Sequence, residues 1–124
     1  MPELAEVLFA TKAWAKGKGH KINKIETKNA SRVFRELDPT LLKRTLKGSV
    51  LLGSETHGKK MLFRFSGERW LGLHLGMTGW LFEEDPVYPS AKHDALVLRQ
   101  DERSLVFRDP RQFGRILCHK GKDA

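Results

Sequence analysis

The sequence predicts an α+β domain: an antiparallel β-sandwich or flattened barrel of about eight strands, with an N-terminal buried helix and a second helix against it. Three observations carry that expectation. Short strand-like runs follow one another closely through the second half of the chain, separated by turn residues. Only two stretches carry apolar residues at helical spacing. With 124 residues, 40% of them apolar, there is material for a single hydrophobic core.

The first helix is expected from Pro2 to about Trp14. Leu4, Val7, Leu8 and Trp14 recur at helical spacing, and Phe9, Ala10 and Ala13 widen the stripe. Pro2, Glu3 and Glu6 suit an opening turn, because proline there loses no hydrogen bond and acids complement the helix dipole. Lys16-Gly17-Lys18-Gly19 stops the helix. So many large apolar groups predict a mostly buried helix that fixes the start of the chain. Ile22 and Ile25 then begin a strand, and Ser31-Arg32-Val33-Phe34 reads as a weaker one. Asp38-Pro39 opens the second helix as an N-cap followed by proline, with Leu41, Leu42 and Leu46 as its buried stripe before Gly48. Strands are expected at about 49–57, 59–66, 69–76, 79–83, 94–99, 104–109 and 113–119. Ser66-Gly67, Asp85-Pro86 and Asp101-Glu102 supply turn chemistry between them.

Composition narrows the partners. Lys and Arg number 23 against 15 acids, a formal charge of +8, which suits a polyanion, nucleic acid before an anionic membrane. No apolar run approaches the roughly 18 residues a membrane-spanning helix needs. The N-terminus lacks the basic-then-apolar layout of a secretory signal. Cys118 is the only cysteine, which excludes internal disulfides and a cysteine-rich zinc site and fits a reducing, intracellular compartment.

Four stretches carry chemistry. Removal of Met1 would expose the secondary amine of Pro2, with a reference pKa of about 8. Such an amine attacks carbonyl-like carbons to give Schiff bases, and Glu3 beside it can move protons. In Thr56-His57-Gly58-Lys59-Lys60, the lysines stand at the mouth of a turn, where a cation holds phosphate or assists a covalent intermediate. In His74-Leu75-Gly76-Met77-Thr78-Gly79-Trp80, two glycines bracket Met77 and kink the chain, either pushing the thioether outward or forming a bulge over a core methionine. In Asp109-Pro110-Arg111-Gln112-Phe113-Gly114, a turn leads into Arg111 and Phe113, which on extended chain point the same way. An arginine fork beside an exposed phenyl ring can enter a duplex, one hydrogen-bonding an orphaned base and the other wedging between base steps. The competing reading folds Phe113 back onto the core.

With these stretches in this order, the chain resembles the N-terminal domain of the formamidopyrimidine-DNA glycosylase/endonuclease VIII family, and Met77 and Phe113 lie in motifs that favour the glycosylase branch. The resemblance runs over nearly the whole chain. It implies a bifunctional DNA glycosylase and abasic-site lyase of base-excision repair, removing oxidised purines. On this resemblance Pro2 is the nucleophile that attacks C1′ and forms the Schiff base, Glu3 the proton donor and shuttle, and Lys59 the lysine that assists β-elimination. Met77, Arg111 and Phe113 fill the void left by the flipped base, and His74 and His93 contact DNA.

The chain also departs from the pattern. Ala5 replaces a second proline, and Leu8-Phe9-Ala10-Thr11-Lys12 replaces an acid-rich continuation. Counting back from Met77 selects Lys60 in place of Lys59 unless one residue is inserted near Gly67. The family's helix–two-turn–helix module and four-cysteine zinc finger have no counterpart here, so residues 1–124 read as a single catalytic N-terminal domain with no metal or other cofactor of its own. The expected partner is double-stranded damaged DNA bound by a monomer inside the cell, in cytoplasm, nucleoid or nucleus, with weak activity for this length of chain. A damaged-DNA-binding module without catalysis is the alternative. A basic interaction domain unrelated to DNA is the third reading.

Overall fold

The computed structural model describes residues 4–121, so Pro2 and Glu3 lie outside the described residues. Helix α1 (Leu4–Ala13) and a 3₁₀ turn (Ala15–Gly17) precede β1 (Lys24–Thr27), a second 3₁₀ turn (Arg32–Phe34) and α2 (Pro39–Leu46). The strands that follow are β2 (Leu51–His57), β3 (Lys60–Phe65), β4 (Arg69–His74), β5 (Trp80–Glu84), β6 (Asp94–Arg99), β7 (Ser104–Arg108) and β8 (Arg115–Lys120). They form two open four-stranded antiparallel sheets, ordered β1-β6-β7-β5 and β2-β3-β4-β8. The sandwich half of the sequence expectation holds, and the sheets do not close into a barrel.

Strand alternation builds the core. In β3, Met61, Phe63 and Phe65 point into the core while Lys60 and Arg64 face solvent, the two-residue period of a sheet, with Leu62 between them on the outer face also buried. The opposite sheet answers with Leu81, Leu96, Leu98, Leu105 and Phe107. Trp14 joins the layers. Its ring lies 4.8 Å from that of Phe63 in β3, and its indole N–H donates to the Val106 carbonyl of β7 at 3.2 Å. Gln100 donates its amide N–H to the carbonyls of Gly17 and His20 at 3.0 and 3.1 Å, so the C-terminal end of α1 is fixed at the Gln100–Arg103 end of the sandwich. A Cβ on Gly17 would stand 2.8 Å from both Gln100 Oε1 and Leu105 Cδ1, so a larger residue there would have to displace one of those buried side chains.

Three expectations need correction. Ser31–Phe34 is not a strand: Arg32–Phe34 forms a 3₁₀ turn, with Ser31 Oγ accepting from the Val33 N–H as a local cap. Helix α1 is not mostly buried along its described side chains, since Ala10 is inside but Leu8 is 45% and Phe9 76% exposed. Leu41 is also outside the core, because the 3.6-residue period of α2 places Leu42 and Leu46 inward and turns Leu41 away. The predicted start of α2 holds, with Asp38 Oδ1 accepting from Thr40 N–H at 2.9 Å and Pro39 in the first turn.

Candidate nucleic-acid interface and active site

Topology brings two of the predicted stretches together. The chain leaves β4, crosses between sheets through residues 75–79, and enters β5; later it leaves β7 and crosses back through 109–114 into β8. Because β5 pairs with β7 and β4 with β8, both crossings occur at the same end of the sandwich, side by side. Trp80 stands opposite Arg108, and His74 opposite Arg115, in the two ladders.

The crossings touch backbone to backbone. Gly76 has φ +64°, and a Cβ there would lie 2.7 Å from the Phe113 carbonyl carbon. A Cβ on Gly114 would lie 2.6 Å from the His74 carbonyl oxygen and 2.8 Å from Asp109 Oδ2. Only glycine allows this approach. Asp109, almost fully buried, organises the second crossing: Oδ1 accepts from Gln112 N–H at 3.0 Å and Oδ2 from Gly114 N–H at 2.7 Å. Its Oδ1 also accepts the Thr78 hydroxyl of the first crossing at 2.6 Å. The Arg32–Phe34 turn supports the same loop, with Arg32 N–H donating to Gln112 Oε1 at 2.8 Å and Arg35 Nη1 to the Gly114 carbonyl at 3.0 Å.

On this base the candidate residues project. Met77 is 64% and Phe113 40% exposed, so both bland readings, a core methionine and a phenylalanine folded onto the core, are wrong. Arg111 and Phe113 do meet, the guanidinium carbon 4.9 Å from the ring centroid. They do so by a route the sequence did not suggest. Gln112 is not extended but takes φ +59°, a left-handed conformation costing a non-glycine residue about 1 kcal/mol or more. The bonds from Asp109 and Arg32 hold it there.

His74 and Lys59 flank the loops. Gly58, at φ +63°, opens the tight turn between β2 and β3 and leaves Lys59 half-buried at its tip, whereas Lys60 lies on the exposed face of β3 with its stem over Gly72. Burial first, then the charges of Arg115, Lys59 and Arg35, holds the His74 imidazole below its ordinary pKa, so it is neutral at pH 7. Gly76 N–H donates to Nδ1 at 3.2 Å, which leaves the proton of neutral His74 on Nε2. His93 is exposed on the neighbouring turn, its carbonyl accepting from Asp109 N–H at 3.0 Å, beside a cleft of about 140 Å³ lined also by Gln112 and Lys92. Lys59, His74, Met77, His93, Arg111 and Phe113 thus share one end of the sandwich.

Sequence reasoning missed Asp109, Thr78, Gln112 and Arg35 as parts of this site. Asp109 showed only as a turn former before proline, and Arg35 carried no signal. Among the described residues, no three His, Cys, Asp or Glu side chains converge to hold a metal ion. Cys118 is a lone half-buried thiol. No helix among the described residues is long and apolar enough to cross a membrane.

Comparison with known proteins identifies the family and the fold. The family model of the formamidopyrimidine-DNA glycosylase N-terminal domain matches residues 1–116. The formamidopyrimidine-DNA glycosylase of Solibacter usitatus is 39% identical over 116 residues, covering 94% of this chain and 42% of that protein. That of Paraburkholderia xenovorans is 37% identical over 123 residues, covering 96% and 44%. Among solved structures, MutM in complex with DNA containing carbocyclic 8-oxo-G superposes with a TM-score of 0.84 at 30% identity, over 94% of this chain and 44% of that one. Wild-type Lactococcus lactis Fpg with DNA containing an oxidised pyrimidine gives 0.85 at 29%, over 95% and 44%. The chain therefore spans less than half the length of the relatives it matches.

Proposed function

This chain belongs to the formamidopyrimidine-DNA glycosylase family, and we propose on that premise that it excises oxidised purines from double-stranded DNA and then cleaves the abasic strand. The observation that supports this reading most is the joint projection of Met77, Arg111 and Phe113 from two interlocked crossings beside His74 and Lys59. A base inside a duplex is out of reach, so it must be turned out and its stacking replaced. The thioether and phenyl groups take the vacated space, and the Arg111 fork bonds the base left unpaired.

The amine of Pro2 then forms a bond to C1′ as the bond from C1′ to the base breaks, the base leaving with that electron pair and with the proton the amine gives up. Opening of the sugar ring moves the C1′–O4′ electron pair onto oxygen, where Glu3 supplies a proton, and leaves an iminium at C1′. The iminium acidifies C2′. Loss of a proton there, assisted by Lys59, expels the 3′ phosphate by β-elimination, and water later frees the amine. Apart from water, these steps use only groups of this chain. Lys and Arg on the same end grip phosphates, so affinity falls as salt rises. The place of work is the DNA inside the cell.

Borohydride reduction of the chain mixed with an abasic-site duplex tests the chemistry, because it converts an iminium to a stable covalent adduct. An adduct is expected at the N-terminal peptide. Binding to the lesion duplex with no adduct under any condition would replace this reading with that of a damaged-DNA-binding module without turnover.

Two further results are expected of the same duplex. Exchanging both Arg111 and Phe113 for alanine is expected to weaken binding about a hundredfold, since unstacking a base step costs a few kcal/mol and each 1.4 kcal/mol is a factor of ten. The affinity is also expected to rise as pH falls from 7 toward 5.5. Burial is the main reason the His74 imidazole is neutral, and Arg115, Lys59 and Arg35 add to it; a phosphate bound beside the ring offsets those three charges, so binding takes up a proton there. His74→Gln should flatten that dependence by a factor of about three to ten, one pKa unit being tenfold. Binding titrations by fluorescence anisotropy across this pH range read both effects.

A further inference from the structure

Of the bonds that organise the two crossings, one spans them through side chains: Thr78 Oγ1 to Asp109 Oδ1, at 2.6 Å. From it we infer that Thr78 and Asp109 form a latch that makes Met77 and the Arg111–Phe113 pair enter DNA as one unit, Asp109 being a positioning residue that touches no substrate. This deepens the DNA reading and rests on it.

The geometry works from two directions. Gly76 against the Phe113–Gly114 backbone, and Gly114 against the His74 carbonyl, stop the loops from coming closer. The Thr78–Asp109 bond stops them from parting. Its acceptor is a carboxylate 2% exposed, so water competes poorly for it, and hydrogen bonds to an ionised acceptor are about twice as strong as neutral ones. The same carboxylate holds Gln112 N–H and Gly114 N–H, the two amides that flank Phe113. Thr78 itself follows Met77 directly. A pull on either wedge therefore reaches the other through one carboxylate. The β4–β8 and β5–β7 ladders tie only the roots of the crossings, so without the latch the tips could separate, and a methionine and a phenylalanine entering at independent times would each face the ordering cost alone.

The test uses Thr78→Val, which removes the hydroxyl at nearly constant volume and leaves both backbone bonds to Asp109, and Thr78→Ser, which keeps it. In the free protein, amide hydrogen exchange is expected to accelerate in both crossings, 76–79 and 111–114, in the valine variant and to stay slow in the serine variant. Unchanged exchange in the valine variant overturns the latch whatever the protein binds. With DNA, the ratio of affinities for a duplex containing a tetrahydrofuran abasic analogue and for the undamaged duplex is expected to fall about tenfold in Thr78→Val, the loss of one charge-assisted bond, and to be restored in Thr78→Ser. A double-mutant cycle between Met77→Ala and Phe113→Ala should show coupling in the wild type that disappears in the Thr78→Val background. A lowered melting temperature with the affinity ratio and the coupling unchanged would reduce the bond to a structural one and sink the inference. A wild-type chain that does not distinguish the two duplexes sinks the DNA reading instead, and the exchange result separates the two failures.

Discussion

A chain that keeps Met1 ahead of Pro2 is expected to lose the borohydride-trapped adduct by at least about a hundredfold. The peptide bond to Met1 turns the proline nitrogen into a tertiary amide, whose lone pair is drawn into the carbonyl and attacks nothing. A new amine does appear, on Met1, but its carrier Cα lies about 3.8 Å further along the chain. Displacing a reacting group by 1 Å already costs about a hundredfold, because the entropy saved by positioning is lost. Intact mass separates the two forms of the chain, and trapping on an abasic duplex compares them. Equal trapping by the Met1-retaining form would move the nucleophile elsewhere. Lys59, half-buried at the tip of its turn, is then the first amine to test, and Lys60, exposed on the strand, the second.

The strands were legible because a half-buried sheet writes its period into the chain. Met61, Phe63 and Phe65 alternate with Lys60, Leu62 and Arg64, polar but for Leu62, and no helix could bury the first set on one face. Asp38-Pro39 was legible because N-capping is local. Ser31–Phe34 was misread because Val33 and Phe34 are adjacent and both buried, a pattern with no period, so the Ser31 cap decided the matter and not the hydrophobicity. Leu8 was expected inside on helical spacing and Phe9 as a widening of that stripe, but a ten-residue helix resting on a sandwich has only one side to bury. The exposure of Met77 and Phe113 at kinked crossings was legible from their own motifs. What joins them was not: Asp109 meets Thr78 across 31 residues of sequence, and Arg35 meets Gly114 across 79, distances over which a single sequence carries no pairing signal.

Asp94→Ala is expected to destabilise the fold by about 3 kcal/mol, the lower end of the range for breaking a buried ion pair, since the Arg108 side chain remains 28% exposed. Asp94 Oδ1 accepts from Arg108 Nε at 2.6 Å, and Oδ2 from the Tyr88 hydroxyl at 2.6 Å and Ala91 N–H at 2.7 Å. Arg108 is boxed in further, its guanidinium 4.7 Å from the Phe82 ring centroid and Nη2 donating to Tyr88 at 2.7 Å. Alanine leaves that guanidinium held against aromatic faces with no counter-charge. Burial pushes the Asp94 carboxyl up, but Arg108, Tyr88 and Ala91 together outweigh it and hold it below its ordinary value. A carboxylate depressed in the folded state stabilises fully above its unfolded pKa of about 4, and that stabilisation is lost as pH falls through the lower folded value. The gap between wild type and Asp94→Ala should therefore be constant from pH 7 to about 5 and narrow below about 4. Urea midpoints at pH 7 and pH 3 measure it. A gap under about 1 kcal/mol at pH 7 would mean that the pair behaves as an exposed one. The pair also bears on the site: Arg108 closes β7 one residue before Asp109, so a strand end loosened there lets the carboxylate under both crossings drift. Asp94→Ala is accordingly expected to weaken lesion binding even where the domain stays folded, whereas a destabilised fold with unaltered affinity would show that the site is held by Asp109 and its glycines alone.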